Sequence, residues 1–181
     1  MQSRLFMNFG KRAIRAASIL VLCAFLLGSC SNRKSSGDLG DYSSYLGTYA
    51  YNVSITAMVY EDMDDEGKGI QYREVTDIEK LITQAPLYIC LYFYSSLRTD
   101  NAAVTASIEE LAEEYHDQIL FVSIDGMQEK ALLANFSIAA LPDFVMLKDG
   151  VWIAAFGSSD KESWTNEELS DWVLTNSGIK Q

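Results

Sequence analysis

The 181-residue chain is poor in the groups on which most enzyme and metal sites are built: one histidine, two prolines and three cysteines. A lone His116, with no nucleophile or second ligand nearby, excludes a histidine-based metal set or hydrolytic triad and reads as a surface residue at a helix end beside Asp117. Ser95 and Ser96 likewise lack a base. The cysteines, Cys23, Cys30 and Cys90, are far apart, so no Cys-x-x-Cys pair exists. Positive charge is scarce as well: 14 Lys and Arg face 25 Asp and Glu, for a net charge of −11, which argues against nucleic acid as a partner. No motif calls for a cofactor or a resident metal.

What the chain does have begins at its N-terminus. Arg4, Lys11, Arg12 and Arg15 form a positive leader without acidic residues, followed by an apolar run from Ala16 to Leu27. A dozen or so residues are too few to cross a hydrocarbon core of about 30 Å. The run ends in Leu27-Gly28-Ser29-Cys30, which resembles the lipobox of bacterial lipoprotein precursors. That resemblance implies a signal peptide at 1–29, cleavage before Cys30 and acylation of the Cys30 thiol, where each buried methylene adds ~0.8 kcal/mol and several chains anchor stably. The Ser/Gly-rich stretch to residue 48 then reads as a flexible tether, 30–48, ahead of one domain at 49–181. The expected location is the bacterial cell envelope, lipid-anchored to a membrane, with Ser31 favouring the periplasmic side of the outer membrane. Removal of the leader leaves ten basic against 25 acidic residues, a net charge of −15.

Cleavage and lipidation leave Cys90 as the one thiol of the domain, embedded in Leu87-Tyr88-Ile89-Cys90-Leu91-Tyr92-Phe93-Tyr94. This continuous apolar run, rich in β-formers, predicts a buried central strand in which Cys90 acts as a small hydrophobe with a raised pKa. Val104, Ile108, Leu111, Ala112 and Tyr115 recur at helical spacing and predict a helix over about 100–116, with Thr99 or Asp100 as its cap. Ile119 to Ile124 reads as a second strand closed by Asp125-Gly126, and a short helix is expected over about 128–135. Phe144 to Leu147 and Val151 to Phe156 flank Lys148-Asp149-Gly150, an Asp-Gly hairpin signal. Leu169, Trp172 and Val173 mark the inner face of a last helix that stops near Gly178.

This order of elements from Leu87, the helix segment Ser107 to Tyr115, the segment Phe136 to Phe144 with Leu141-Pro142, and the hairpin followed by Gly157 resemble the thioredoxin family. The resemblance covers about 70–178, with Ile70 to Val75 and Asp77 to Ile82 supplying an outer strand and a helix. It implies an α/β fold, a central mixed sheet flanked by helices, here with an additional N-terminal strand or hairpin. It also implies a cis bond at Pro142. The register places the family's cysteine pair on Arg98 and Asn101, with Thr99 and Asp100 between them, and its buried proton-assisting acid on Tyr92; Ala106 replaces the helix proline. The chemistry needs a thiolate at a helix N-terminus and a second thiol one turn away. Neither position supplies one. The expected function is therefore a redox-inactive, membrane-anchored protein-binding or assembly module; the alternative is an oxidoreductase-related protein that uses Cys90 or a partner's thiols. In the family the residue before the cis-proline offers backbone hydrogen bonds to an extended partner segment, so Leu141 and Pro142 are the candidate contacts with an envelope protein, unless the proline serves the turn alone. Arg98 reads as a solvated side chain near the cap, with an anion pocket as the lesser alternative.

Tyr51 to Tyr60 and Ile70 to Val75 alternate as paired strands around an acidic turn. Asp62, Asp64, Glu66 and Gly67 resemble the start of a calcium loop, but Arg73 stands where that loop needs glutamate, so the turn reads as an exposed hairpin tip. Tyr42, Tyr45, Tyr49 and Tyr51 are expected to pack on the sheet or to form a contact patch.

Overall fold

In a computed structural model, the structure describes residues 40–49, 52–63 and 67–179. The leader, Cys30 and most of the expected tether lie outside the described residues, as do Tyr51, Asp64 and Glu66. Strand β4 (Tyr88–Tyr94) forms the middle of the fold, because a run apolar at every position can be satisfied only by burial on both faces. It pairs in parallel with β5 (Ile119–Asp125) and antiparallel with β6 (Asp143–Lys148). Side chains alternate across the sheet. Ile89, Leu91 and Phe93 meet Leu120, Val122, Ile124, Val145 and Leu147 on one face, under α1 (Ile78–Gln84) and α3 (Lys130–Asn135). Cys90 and Tyr92 meet Phe121, Phe144 and Met146 on the other, under α2 (Asn101–Glu114) and α4 (Asn166–Ser177).

Local chemistry sets most boundaries. Asp77 caps α1 by accepting from Lys80 N at 3.0 Å. Thr165 and Glu168 form a capping box at the start of α4, and Gly178 ends it in the left-handed region at φ 69°. The Asp149-Gly150 turn joins β6 to β7 (Val151–Gly157) with both residues at positive φ, as a two-residue hairpin turn of this hand requires.

The N-terminal region differs from the expectation in where the fold begins. A 3₁₀ turn (Gly40–Tyr45) and strand β1 (Leu46–Tyr49) are already part of the fold, and Tyr42 and Leu46 are buried in the core, so the folded part starts before residue 49, inside the stretch 30–48 expected to be a tether. Ile70 to Val75 is an outer strand paired with the segment before it, as expected. It lies within β3 (Gly67–Val75), and its hairpin partner β2 (Ile55–Met63) stands between it and β5, antiparallel to both. The seven-stranded order is β1-β3-β2-β5-β4-β6-β7. The physical reason is burial: Ala57, Met58 and Val59 of β2 are sheltered on both faces, whereas β3 is mostly half-exposed. Arg73 serves this sheet, donating to Gly47 O at 2.9 Å and pairing with Glu61 at 3.6 Å.

Candidate functional site

A cleft of about 250 Å³ opens where β4 ends, between the start of α2 and the loop before β6; Arg98, Asp100, Asn101, Pro142, Glu162 and Trp164 are among its walls. On the first wall, Arg98 N donates to Ser95 O at 3.0 Å, closing a turn. The Arg98 guanidinium grips Asp100 through Nε at 2.9 Å and through Nη2, and its Nη1 reaches across the cleft to Leu141 O at 3.0 Å. Asn101 Nδ2 donates to Ser95 O at 2.7 Å and to Arg98 O at 3.1 Å. The side chains at both expected cysteine positions are thus spent on holding the loop. Asp100 occupies the N-cap position of α2 without capping it, because its carboxylate is engaged by Arg98, which holds its pKa below the ordinary range.

On the second wall the Leu141–Pro142 peptide is cis. Ala139 N and Ala140 N donate to Ser159 Oγ at 2.9 and 3.1 Å, and Ser158 N donates to Pro142 O at 2.9 Å. Gly157 permits this approach: at its φ of 134° a Cβ would collide with Asp143 Oδ1 and lie 2.8 Å from Pro142 O. Arg98 is exposed, as a side chain near the cap was expected to be, and it also acts as a strut between two loops. The Leu141 carbonyl, one of the backbone groups expected to face a partner, accepts from Arg98 Nη1.

Residues 71–175, more than half of the chain, match the family described as Thioredoxin-like domain. The chain belongs to the thioredoxin-like family. Over 67 residues it is 31% identical to chloroplastic thioredoxin X of Arabidopsis thaliana, covering 37% of this chain and 36% of that one. Over 95 residues it is 27% identical to Thioredoxin-1 of Drosophila yakuba, covering 52% of this chain and 89% of the relative. The match therefore spans about a third of the Arabidopsis protein's length but most of the Drosophila one. Among solved structures, thioredoxin of Fasciola hepatica aligns with a TM-score of 0.48 at 24% identity, over 55% of this chain and 90% of its own. Mitochondrial thioredoxin 3 of Saccharomyces cerevisiae aligns with 0.48 at 20% identity, over 55% and 88%.

Within this thioredoxin-like domain, Cys90 is fully buried mid-strand, and desolvation pushes its thiol far up. Tyr92 lies two residues further along the same face, stacked on Phe144 at 5.1 Å and on Tyr94 at 5.5 Å. Burial pushes its pKa up to about 12. A phenol that stays protonated thus stands where the resemblance places an acid. Thr105 beside Tyr92 works in the opposite direction, yet no hydrogen bond of ordinary geometry reaches the Tyr92 hydroxyl.

Two buried carboxylates escaped the sequence reading. Asp125 accepts from Ser96 N at 3.3 Å, Met127 N at 3.0 Å and Gln128 Nε2 at 2.8 Å; burial alone would raise its pKa, but these donors outweigh it and hold the carboxyl below the ordinary range. Asp143, next to Pro142, is raised by desolvation, and its Oδ1 has no hydrogen-bond partner. Trp164 was missed as well; it meets Phe144 and Phe156 edge-on at 5.7 and 5.5 Å. His116 is half-buried against Tyr60, ring centroids 4.6 Å apart, with Nδ1 2.7 Å from Glu113 O, and so is less exposed than expected. Among the described residues no three His, Cys, Asp or Glu side chains are placed to hold a metal, and no helix is long and apolar enough to cross a membrane.

Proposed function

We propose that this thioredoxin-like chain is a redox-inactive binding or assembly module of the bacterial cell envelope, anchored through a lipid on Cys30 and binding an extended segment of an envelope protein at the Leu141-Pro142 loop. The observation that carries this reading is the fate of the two active-site positions. Arg98 and Asn101 carry no thiol, and their side chains close the loop and bridge the cleft. A partner strand that pairs with Leu141 has to take its carbonyl from Arg98, which makes Arg98 a gate on the docking edge. The acidic surface favours partners that are not strongly anionic.

Kinship favours a second reading, thiol chemistry through Cys90 or a partner's thiols, because the named relatives are thioredoxins. The burial of Cys90 counts against it. Cross-linking in intact envelopes followed by affinity capture tests the docking proposal: Leu141→Arg should lose the captured protein, while Arg98→Ala should retain or increase it. A partner captured equally well by wild type and Leu141→Arg would place docking elsewhere. Lipidation is tested separately by incorporation of a labelled fatty acid, which Cys30→Ala should abolish.

A further inference from the structure

The start of β7 carries an apolar patch that neither the core nor the cleft absorbs. Among the described residues five large apolar side chains are exposed, and three of them are consecutive: Val151 at 65%, Trp152 at 45% and Ile153 at 40%. β7 is the last strand of the sheet, unpaired along its outer edge among the described residues. Trp152 is held in place, stacked on Phe136 at 6.0 Å on the face that α1 and α3 cover. Single apolar residues are ordinary on a surface, whereas three in succession around a fixed indole point to something that covers them.

The place of the patch in the chain says what that is. Gly150, at the tip of the β6–β7 hairpin, lies against α1, where a Cβ would stand 3.1 Å from Thr83 Cγ2, and Lys148 Nζ donates to Pro86 O just beyond that helix. The next residue of α1 meets the start of the fold: Tyr45 OH donates to Gln84 Oε1 at 2.6 Å. The patch and the entry of the chain therefore come together at one end of α1. Upstream, nine residues, 31–39, separate Cys30 from Gly40, and even fully extended they reach at most about 35 Å. A lipid on Cys30 thus brings this side of the domain to the bilayer. The cleft is at the far end of β4: Tyr88 pairs with Lys148 beside the patch, and Tyr94 ends the strand about 20 Å away. Indole rings settle at the headgroup level of bilayers, and Gly150 to Gly157 contains no charged residue to oppose contact. The lipidated chain, with ten basic against 25 acidic residues, is repelled by anionic lipid, so the matching surface is zwitterionic.

We propose that Val151, Trp152 and Ile153 rest on a zwitterionic bilayer and orient the lipid-anchored domain, with the Leu141-Pro142 cleft turned away from the membrane. The inference rests on the Cys30 anchor of the proposed function, and the test separates the two. The full chain, purified with its lipid, is reconstituted into phosphatidylcholine vesicles with and without brominated acyl chains; flotation reads anchoring, and bromine quenching of tryptophan emission reads docking. Wild type should float and lose about a third of its emission, the share of Trp152 among three tryptophans. Trp152→Phe should float and lose none. Val151→Glu, at a side chain already exposed, should float, keep its melting temperature and show about half the wild-type loss or less, because a charge resists entry into the interface. Failure of wild type to float would remove the anchor and the proposal with it. Flotation without quenching, or with equal quenching in wild type and Trp152→Phe, would leave the anchor standing and overturn the docking. A dimer in light scattering that Trp152→Phe dissolves, beside unquenched wild type, would assign the patch to a second copy of the chain and likewise overturn it.

Discussion

The two walls of the cleft each bury one aspartate, and the two carboxylates behave in opposite ways. Asp125, under the loop that carries Arg98, receives three hydrogen bonds and is held ionised. Asp143, under the Pro142 loop, has one oxygen without a partner and a raised pKa. Asp143 is the more strongly desolvated and Asp160 raises it further, so Ser159 and the Phe144 amide do not outweigh its burial, whereas at Asp125 the donors do. The first wall is a saturated polar scaffold; the second has a spare acceptor enclosed by Gly157 and Pro142.

The largest effect is expected from the saturated wall. Asp125→Ala leaves the Ser96 and Met127 amides and the Gln128 side chain without their acceptor and should cost about 3 kcal/mol, measured by denaturant unfolding. Because the Asp125 pKa is lowered on folding, its contribution is fully present above its ordinary value of 3.8 and is lost as pH falls through the lower folded value. Asp143 has the opposite sign. Its pKa is raised on folding, so its contribution is present below the ordinary value of 3.8 and is lost as pH rises through the folded value. Asp143→Asn should accordingly be neutral or stabilising by about 1 kcal/mol at pH 7, and a stability–pH series should lose the decline on the alkaline side of that transition. Destabilisation at pH 7 would mean that the donors to Asp143 outweigh its desolvation and that the two walls are alike. The smallest effect belongs to Arg98→Ala: its ion pair with Asp100 is solvent-exposed, so unfolding free energy should barely change, while hydrogen exchange at residues 95–101 should quicken.

The sheet's centre was legible because its signals are local. A run apolar on both faces, an Asp-Gly turn and the spacing of Leu169, Trp172 and Val173 before Gly178 each leave few alternatives, and β4, the β6–β7 hairpin and α4 follow from them. Which strand adjoins β5 was not legible. β2 and β3 both alternate as half-buried strands do, and only the burial of Ala57 to Val59 within the assembled sheet decides between them. In the cleft, the positions of Arg98, Asn101, Leu141 and Pro142 could be read by register. The bond from Arg98 to Leu141 could not, since it joins loops 43 residues apart. Asp125 and Asp143 also resisted reading, because an aspartate at a strand end is ordinarily solvated, and only the packed loops show it buried.

The central proposal, a thioredoxin-like cleft without thiol chemistry, is tested most directly by a disulfide-reduction assay. The full chain and Cys90→Ser would be compared for dithiothreitol-driven turnover of insulin disulfides. The proposal predicts that both stay at the uncatalysed rate and that the Cys90 thiol of the wild type titrates only after unfolding. Turnover by the wild type that Cys90→Ser abolishes would contradict it.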